Sequence, residues 1–199
     1  MDDHYFSADP AVAFKRAPVA ATVWGHELAM ASGSGVFAQG RLDIGTAVLF
    51  RENGPPAPGR ILDLGCGYGM IGLAIAVAVP GAVVTGVDVN ERALLLAREN
   101  ADSLGVADRF TAALPAAVPA EATYDEIWSN PPIRIGKSAL HDLLGRWLAR
   151  LSRDGVAHLV VGKNLGADTL AGWLNSEGYP CRRTGSSKGF RVLQVRPRT

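Results

Sequence analysis

Three short stretches carry side chains whose types and spacing could do chemistry. The first is Ile61-Leu62-Asp63-Leu64-Gly65-Cys66-Gly67-Tyr68-Gly69. Its apolar start reads as a buried strand, and its glycines tolerate positive φ and the close approach of another group. With the apolar run from Met70 to Val79 behind it, this is the strand, turn and helix start that cradle a nucleotide in doubly wound α/β folds. A cofactor with an adenosine part belongs there. The second is Asp88, ending the next apolar run where such folds set an acid against the ribose hydroxyls. The third is Ser129-Asn130-Pro131-Pro132-Ile133. Proline removes a backbone donor and fixes φ at about −65°, and the residue before it is held extended. The reading is a stiff loop whose carbonyls point outward unpaired. The Asn130 side-chain oxygen beside the Pro131 carbonyl could then hold both hydrogens of a planar –NH₂ group.

Elements of alternating type must position these residues. The opening His4-Tyr5-Phe6-Ser7-Ala8-Asp9-Pro10 has no clear period. Ala20 to Trp24 and Leu28 to Ser32, separated by Gly25-His26, read as a hairpin. Asp43 is placed to cap a helix from Ile44 to Phe50. The Pro- and Gly-rich piece from Glu52 to Gly59 marks a junction, with residues 1–55 an extension and 56–199 a cofactor-binding catalytic domain. After the glycines come a strand from Ala82 to Val87, a helix from Glu91 to Leu104 capped by Asn90, a short strand from Arg109 to Ala113 and a strand from Tyr124 to Ser129. A helix from Ser138 to Leu151, a strand from Gly155 to Val161, a helix from Ala167 to Ser176 and a strand from Gly189 to Val195 complete the pattern. Such alternation means a mostly parallel sheet with helices on both faces.

Composition narrows the partners. The chain has 199 residues and a net charge of +1, so a nucleic-acid partner needs a local patch. Arg182, Arg183, Lys188, Arg191, Arg196 and Arg198 make the C-terminal end basic and could form it. Two cysteines exclude a disulfide framework, and the four histidines have no metal-site spacing. Cys66, in the glycine turn, reads as a small buried thiol. No apolar run is long enough to span a bilayer, and the acidic opening is unlike a signal peptide, so the expectation is a cytoplasmic protein.

The glycine spacing chooses among cofactors. A dinucleotide fingerprint begun at Gly65 would need a glycine where Met70 stands; Gly67-x-Gly69-x-x-Gly72 fits, but later than the strand end. Asp63-x-Gly65-x-Gly67-x-Gly69 resembles motif I of class I S-adenosylmethionine-dependent methyltransferases. Ser129-Asn130-Pro131-Pro132-Ile133 resembles the motif of the branch that methylates amino groups. Its extension through Arg134 to Lys137, with Gly35-Val36-Phe37 and Leu42-Asp43-Ile44-Gly45-Thr46 upstream, is similar to the small-domain group. That group includes ribosomal RNA guanine-N2 methyltransferases of the small subunit.

The resemblance implies a Rossmann-like, seven-stranded sheet with its last strand antiparallel, S-adenosylmethionine as donor, and an exocyclic amine, guanine N2 of ribosomal RNA, as acceptor. It assigns Asn130, Pro131, Pro132 and Ile133 to catalysis. It assigns Asp63, Gly65, Cys66, Gly67, Gly69, Asp88, Val89 and again Asn130 to the cofactor, and Phe37, Arg134 and Lys137 to the substrate, with no metal. Phe37 and Gln39 could close over either. Two features depart from the group: its bacterial ribosomal members carry a whole extra N-terminal domain, and Ile133 stands where many have an aromatic. The rivals are the same chemistry on DNA adenine or protein glutamine, a nicotinamide-dependent oxidoreductase, and a binding module without turnover.

Overall fold

The computed structural model describes residues 13–38 and 40–198, so the aromatic opening and Gln39 lie outside the described residues. The first elements are an antiparallel hairpin, β1 (Arg16–Val23) and β2 (His26–Gly33), and the helix α1 (Ile44–Glu52). Trp24 and Gly25 make the hairpin turn, both at positive φ (49° and 84°), which matches the twist of the flanking strands. Asp43 caps α1 by accepting the Thr46 amide at 3.0 Å.

The sheet follows as β3 (Arg60–Leu64), α2 (Met70–Ala78), β4 (Val83–Val87), α3 (Glu91–Ser103), β5 (Phe110–Ala113), β6 (Tyr124–Ser129), α4 (Lys137–Leu148), β7 (Leu151–Gly162), α5 (Ala167–Ser176), β8 (Cys181–Ser187) and β9 (Phe190–Val195). Its seven strands lie in the order β5-β4-β3-β6-β7-β9-β8. The five from β5 to β7 are parallel, and β9 runs antiparallel between β7 and β8. This is the doubly wound α/β fold of class I methyltransferases. The chain starts at β3, builds outward to β5, then returns to β6 on the other side, which leaves a crevice at the carboxyl ends of the central strands.

Alternation along the strands makes two cores. Ile61, Val84, Trp128, Val160 and Val192 face α1, α2, α3 and the hairpin, whereas Leu62, Ile127, Leu159 and Leu193 face α4 and α5. The hairpin therefore shares its core with α2 and α3. Asn100 of α3 fastens it, taking the Ala31 amide at 2.7 Å and donating to the Ala31 carbonyl at 2.8 Å.

Two expectations need correction. The helix α4 ends at Leu148, and the strand expected from Gly155 begins at Leu151, with a register shift against β6 between Tyr124 and Glu126. Gly155 permits it, because a Cβ there would meet backbone atoms of Ser152 and Asp125 at 3.0–3.1 Å. The edge strand β8 has no counterpart in the sequence reading, for its Arg-Arg-Thr-Gly-Ser-Ser run is largely exposed and shows no apolar alternation.

Candidate active site

The glycine loop leaves β3 and folds back over β4, with the amides of Gly65 and Cys66 both donating to the Val87 carbonyl at 2.8 and 3.0 Å. Gly65, Gly67 and Gly69 all have positive φ (74°, 54° and 94°). A Cβ on Gly67 would meet no atom within 4 Å, so that backbone stands bare. The loop floors a cavity of about 260 Å³, close to the size of roughly 300 Å³ at which small-ligand sites begin. Asp88, Val89 and Asn90 wall it at the end of β4, and Asn130, Pro131, Pro132 and Ile133 wall it at the end of β6. Ser129 ties the end of β6 to the end of β3 by donating to the Leu64 carbonyl at 2.6 Å.

Asp88 is held at both oxygens. Oδ2 accepts the Gly67 amide at 2.8 Å and Oδ1 the Asn90 amide at 2.9 Å. Burial pushes its carboxyl above the ordinary range, and hydrogen bonds from the Asn90, Gly67 and Val89 amides act against that rise. With three amides on four lone pairs, the carboxylate keeps one for a further donor, as a ribose hydroxyl would supply. Asn90 caps α3 and also donates to the Gly35 carbonyl at 2.7 Å. That bond ties down the segment carrying Val36 and Phe37, which closes the cavity above Asp88.

The other wall departs from the sequence reading. The Pro131 and Pro132 carbonyls are not unpaired: the first accepts the Ile133 amide at 2.8 Å across an inverse γ-turn centred on Pro132, and the second accepts the Ile135 amide at 3.2 Å in a 3₁₀ turn. Asn130 is the sharper acceptor. Its Nδ2 donates to Asp43 Oδ2 at 2.8 Å and to Thr46 Oγ1 at 3.2 Å. Both amide hydrogens are thus occupied, and no donor among the described residues meets Oδ1.

Of the expected site residues, the structure gathers Gly65, Gly67, Asp88, Val89, Asn130, Pro131, Pro132, Ile133, Phe37 and Arg134 around one cavity. It does not bring Asp63, Cys66, Gly69 or Lys137 to that wall. Asp63 is buried beneath the loop, where Oδ2 accepts the Gly72 amide at 2.7 Å and Oδ1 has no partner among the described residues. Burial, with the Asp88 charge adding to it, pushes its carboxyl up to about 7 against the Gly72 hydrogen bond. Cys66 is likewise buried, and desolvation holds its thiol protonated. Gly69 precedes the first turn of α2, where a Cβ would lie 2.7 Å from Leu73 Cδ1.

Three side chains gain a place that the sequence reading did not assign. Asp43, read as a helix cap, also lines the cavity, as does Phe190 at the start of β9. The available signal was Gly45, an unusual helix-start residue, because a Cβ there would lie 2.8 Å from Phe190 Cε1 and 3.0 Å from Asp43 Oδ2. Trp147 joins them from α4, its Nε1 a buried donor without a partner among the described residues. The arrangement fits an adenosine-bearing cofactor: a bare glycine floor and a carboxylate with a spare lone pair. No cluster of metal-binding side chains occurs among the described residues.

Comparison with known proteins bears on this geometry. A family model described as methyltransferase small domain matches residues 27–194. The chain is 34% identical over 201 residues to the uncharacterized protein YbxB of Bacillus subtilis (strain 168), covering 98% of this chain and 99% of that protein. It is 34% identical over 142 residues to ribosomal RNA small subunit methyltransferase C of Shewanella amazonensis, covering 69% of this chain and 41% of that one. The solved T. thermophilus 16S ribosomal RNA N2 methyltransferase, in complex with AdoMet and guanosine, matches with a TM-score of 0.75 at 23% identity, over 96% of this chain and 53% of that one. The chain thus spans about half the length of the ribosomal RNA methyltransferases it matches, and its likeness to the solved structure is one of fold.

Proposed function

The chain belongs to the methyltransferase small domain family, and from that premise we propose that it methylates an exocyclic amino group, guanine N2 of ribosomal RNA fitting best. The observation that carries this reading is the Asn130 amide, whose two hydrogens are taken by Asp43 and Thr46 so that only its oxygen is left for an acceptor amine. S-adenosylmethionine, when bound, supplies a methyl group on a positive sulfur that needs no covalent activation by the protein.

The protein's part is to bind and orient. Gly65 and Gly67 leave the cavity floor open, and Asp88 accepts a ribose hydroxyl with the lone pair that the Gly67, Asn90 and Val89 amides do not use. Asn130 Oδ1 accepts one amine hydrogen. The second lone pair of the Pro131 carbonyl accepts the other, its first being taken by Ile133. The pair turns the nitrogen lone pair away from the loop and disperses the charge that grows on nitrogen. In this reading residues 56–199 form the catalytic domain, and 1–55 are an extension that supplies the support for Asn130. Ile133 and Phe190 offer apolar faces for a base, and Arg134 and Lys137 face its phosphates. Such a substrate places the protein in the cytoplasm.

Incubation with labelled S-adenosylmethionine and separate RNA, DNA and protein fractions tests this. Label in N2-methylguanosine from small-subunit RNA is expected; label in DNA adenine or protein glutamine moves the acceptor instead. Binding of NADH but not S-adenosylhomocysteine would overturn the cofactor. Asn130→Ala is expected to lower kcat by roughly 10²–10³ while calorimetry finds cofactor affinity unchanged.

A further inference from the structure

We propose that Asp43 is a positioning residue that forces Asn130 to show its oxygen, and only its oxygen, to the acceptor. The inference rests on the amine-methylation reading above. Asp43 lies 87 residues before Asn130 in the chain and meets it through Oδ2, at 2.8 Å from Nδ2. The same oxygen accepts the Thr46 amide at 3.0 Å, which fixes the carboxylate to the start of α1. An ionised carboxylate has no hydrogen to give. Were the Asn130 amide turned over, two bare oxygens would face each other at the distance now spanned by a hydrogen bond. Thr46 could not impose this choice, for its hydroxyl can donate as well as accept. Gly45 keeps the carboxylate uncrowded, since a Cβ there would come within 3.0 Å of Oδ2.

The consequence is selectivity. A wall that offers acceptors alone holds an –NH₂ group and repels a carbonyl oxygen in the same place. Guanine carries one of each, so Asp43 decides which edge of the base is productive.

Asp43→Ser separates this role from capping. It keeps an oxygen for the Thr46 amide, so the helix start persists. The same hydroxyl can also donate to the Asn130 oxygen, which lets the amide turn over. A kcat lower by roughly tenfold to a hundredfold is expected, with the melting temperature and the KM for S-adenosylmethionine close to wild type. Wild-type kcat in Asp43→Ser overturns the proposal. An activity-independent measurement accompanies it: NMR should show the Asn130 Nδ2 hydrogens exchanging slowly with water in the wild type and faster in Asp43→Ser. Equal exchange rates overturn the role of Asp43 whatever the substrate. A protected amide in a protein that methylates no amine overturns the functional reading alone.

Discussion

Asp63 stands at the end of the central strand, where a carboxylate could have met a ligand's ammonium group, yet it holds the Gly72 amide of α2 instead. Its pKa, raised from 3.8 to about 7 chiefly by burial, makes it a stability element with an unusual sign. The folded state keeps a proton there that the unfolded chain has already lost. Stability from this group is therefore fully present below the unfolded value and declines as pH rises toward the folded one. The slope is about 1.4 kcal/mol per pH unit inside that window. Asp63→Asn should remove it, so that urea denaturation of wild type and variant converges or diverges across the window and runs parallel above it. Parallel curves throughout would show that the carboxyl titrates normally.

Elements place what single residues cannot. Ala31 of β2 lies opposite Pro18 in a non-hydrogen-bonded pair of the hairpin, so both its backbone groups point outward, where Asn100 of α3 meets them. Asn100 also donates to the Tyr68 carbonyl of the glycine loop at 2.9 Å. Asn100→Ala leaves buried backbone groups unsatisfied at a cost of about 1–3 kcal/mol each, and a lower denaturation midpoint is expected, with weaker cofactor binding by calorimetry as the loop loses its hold. The start of α1 shows the opposite trade. Gly45→Ala improves helix propensity by up to about 1 kcal/mol, but its Cβ must displace Phe190 or Asp43. The expected outcome is a melting temperature near wild type with kcat/KM for the nucleic acid lowered; unchanged kinetics would remove both residues from the acceptor wall.

Across the whole molecule, the basic C-terminal end is divided by the sheet. Phe190 pairs with Gly162 at the cavity end of β7, so β9 carries Arg196 and Arg198 away from it, and β8 begins with Arg182 and Arg183 at that far end. Five residues of strand separate the two ends, on the order of 15 Å. Far-end arginines are also engaged: Arg182 with Gln194, Arg196 with the Asp154 and Gly155 carbonyls, Arg198 with Glu177. At the cavity end Arg191 pairs with Asp168. Lys188 sits on the exposed β8–β9 turn, and exposed Lys163 joins it through a backbone bond from its amide to the Gly189 carbonyl at 2.7 Å. Alanine at Lys163 and Lys188 together should lower the salt dependence of RNA binding by about one unit of slope for each lysine. Alanine at Arg182 and Arg183 should leave it unchanged, as read by filter binding over a range of salt concentrations.

The sequence by itself determined the alternating elements, the glycine loop and the placement of Asp88 and Asn130 at strand ends. Those features are local: apolar period, glycine conformation and proline stiffness act over a few residues. Tertiary structure decided what faced the ligand. Asp63 and Asp88 are both carboxylates at strand ends, and only packing turned one under the loop and the other to the cavity. The β8 strand exists because β9 offers it an edge, not because its own residues alternate. Asp43 and Asn130 are 87 residues apart, and no property of either stretch could show that one would orient the other until the sheet and α1 closed around them.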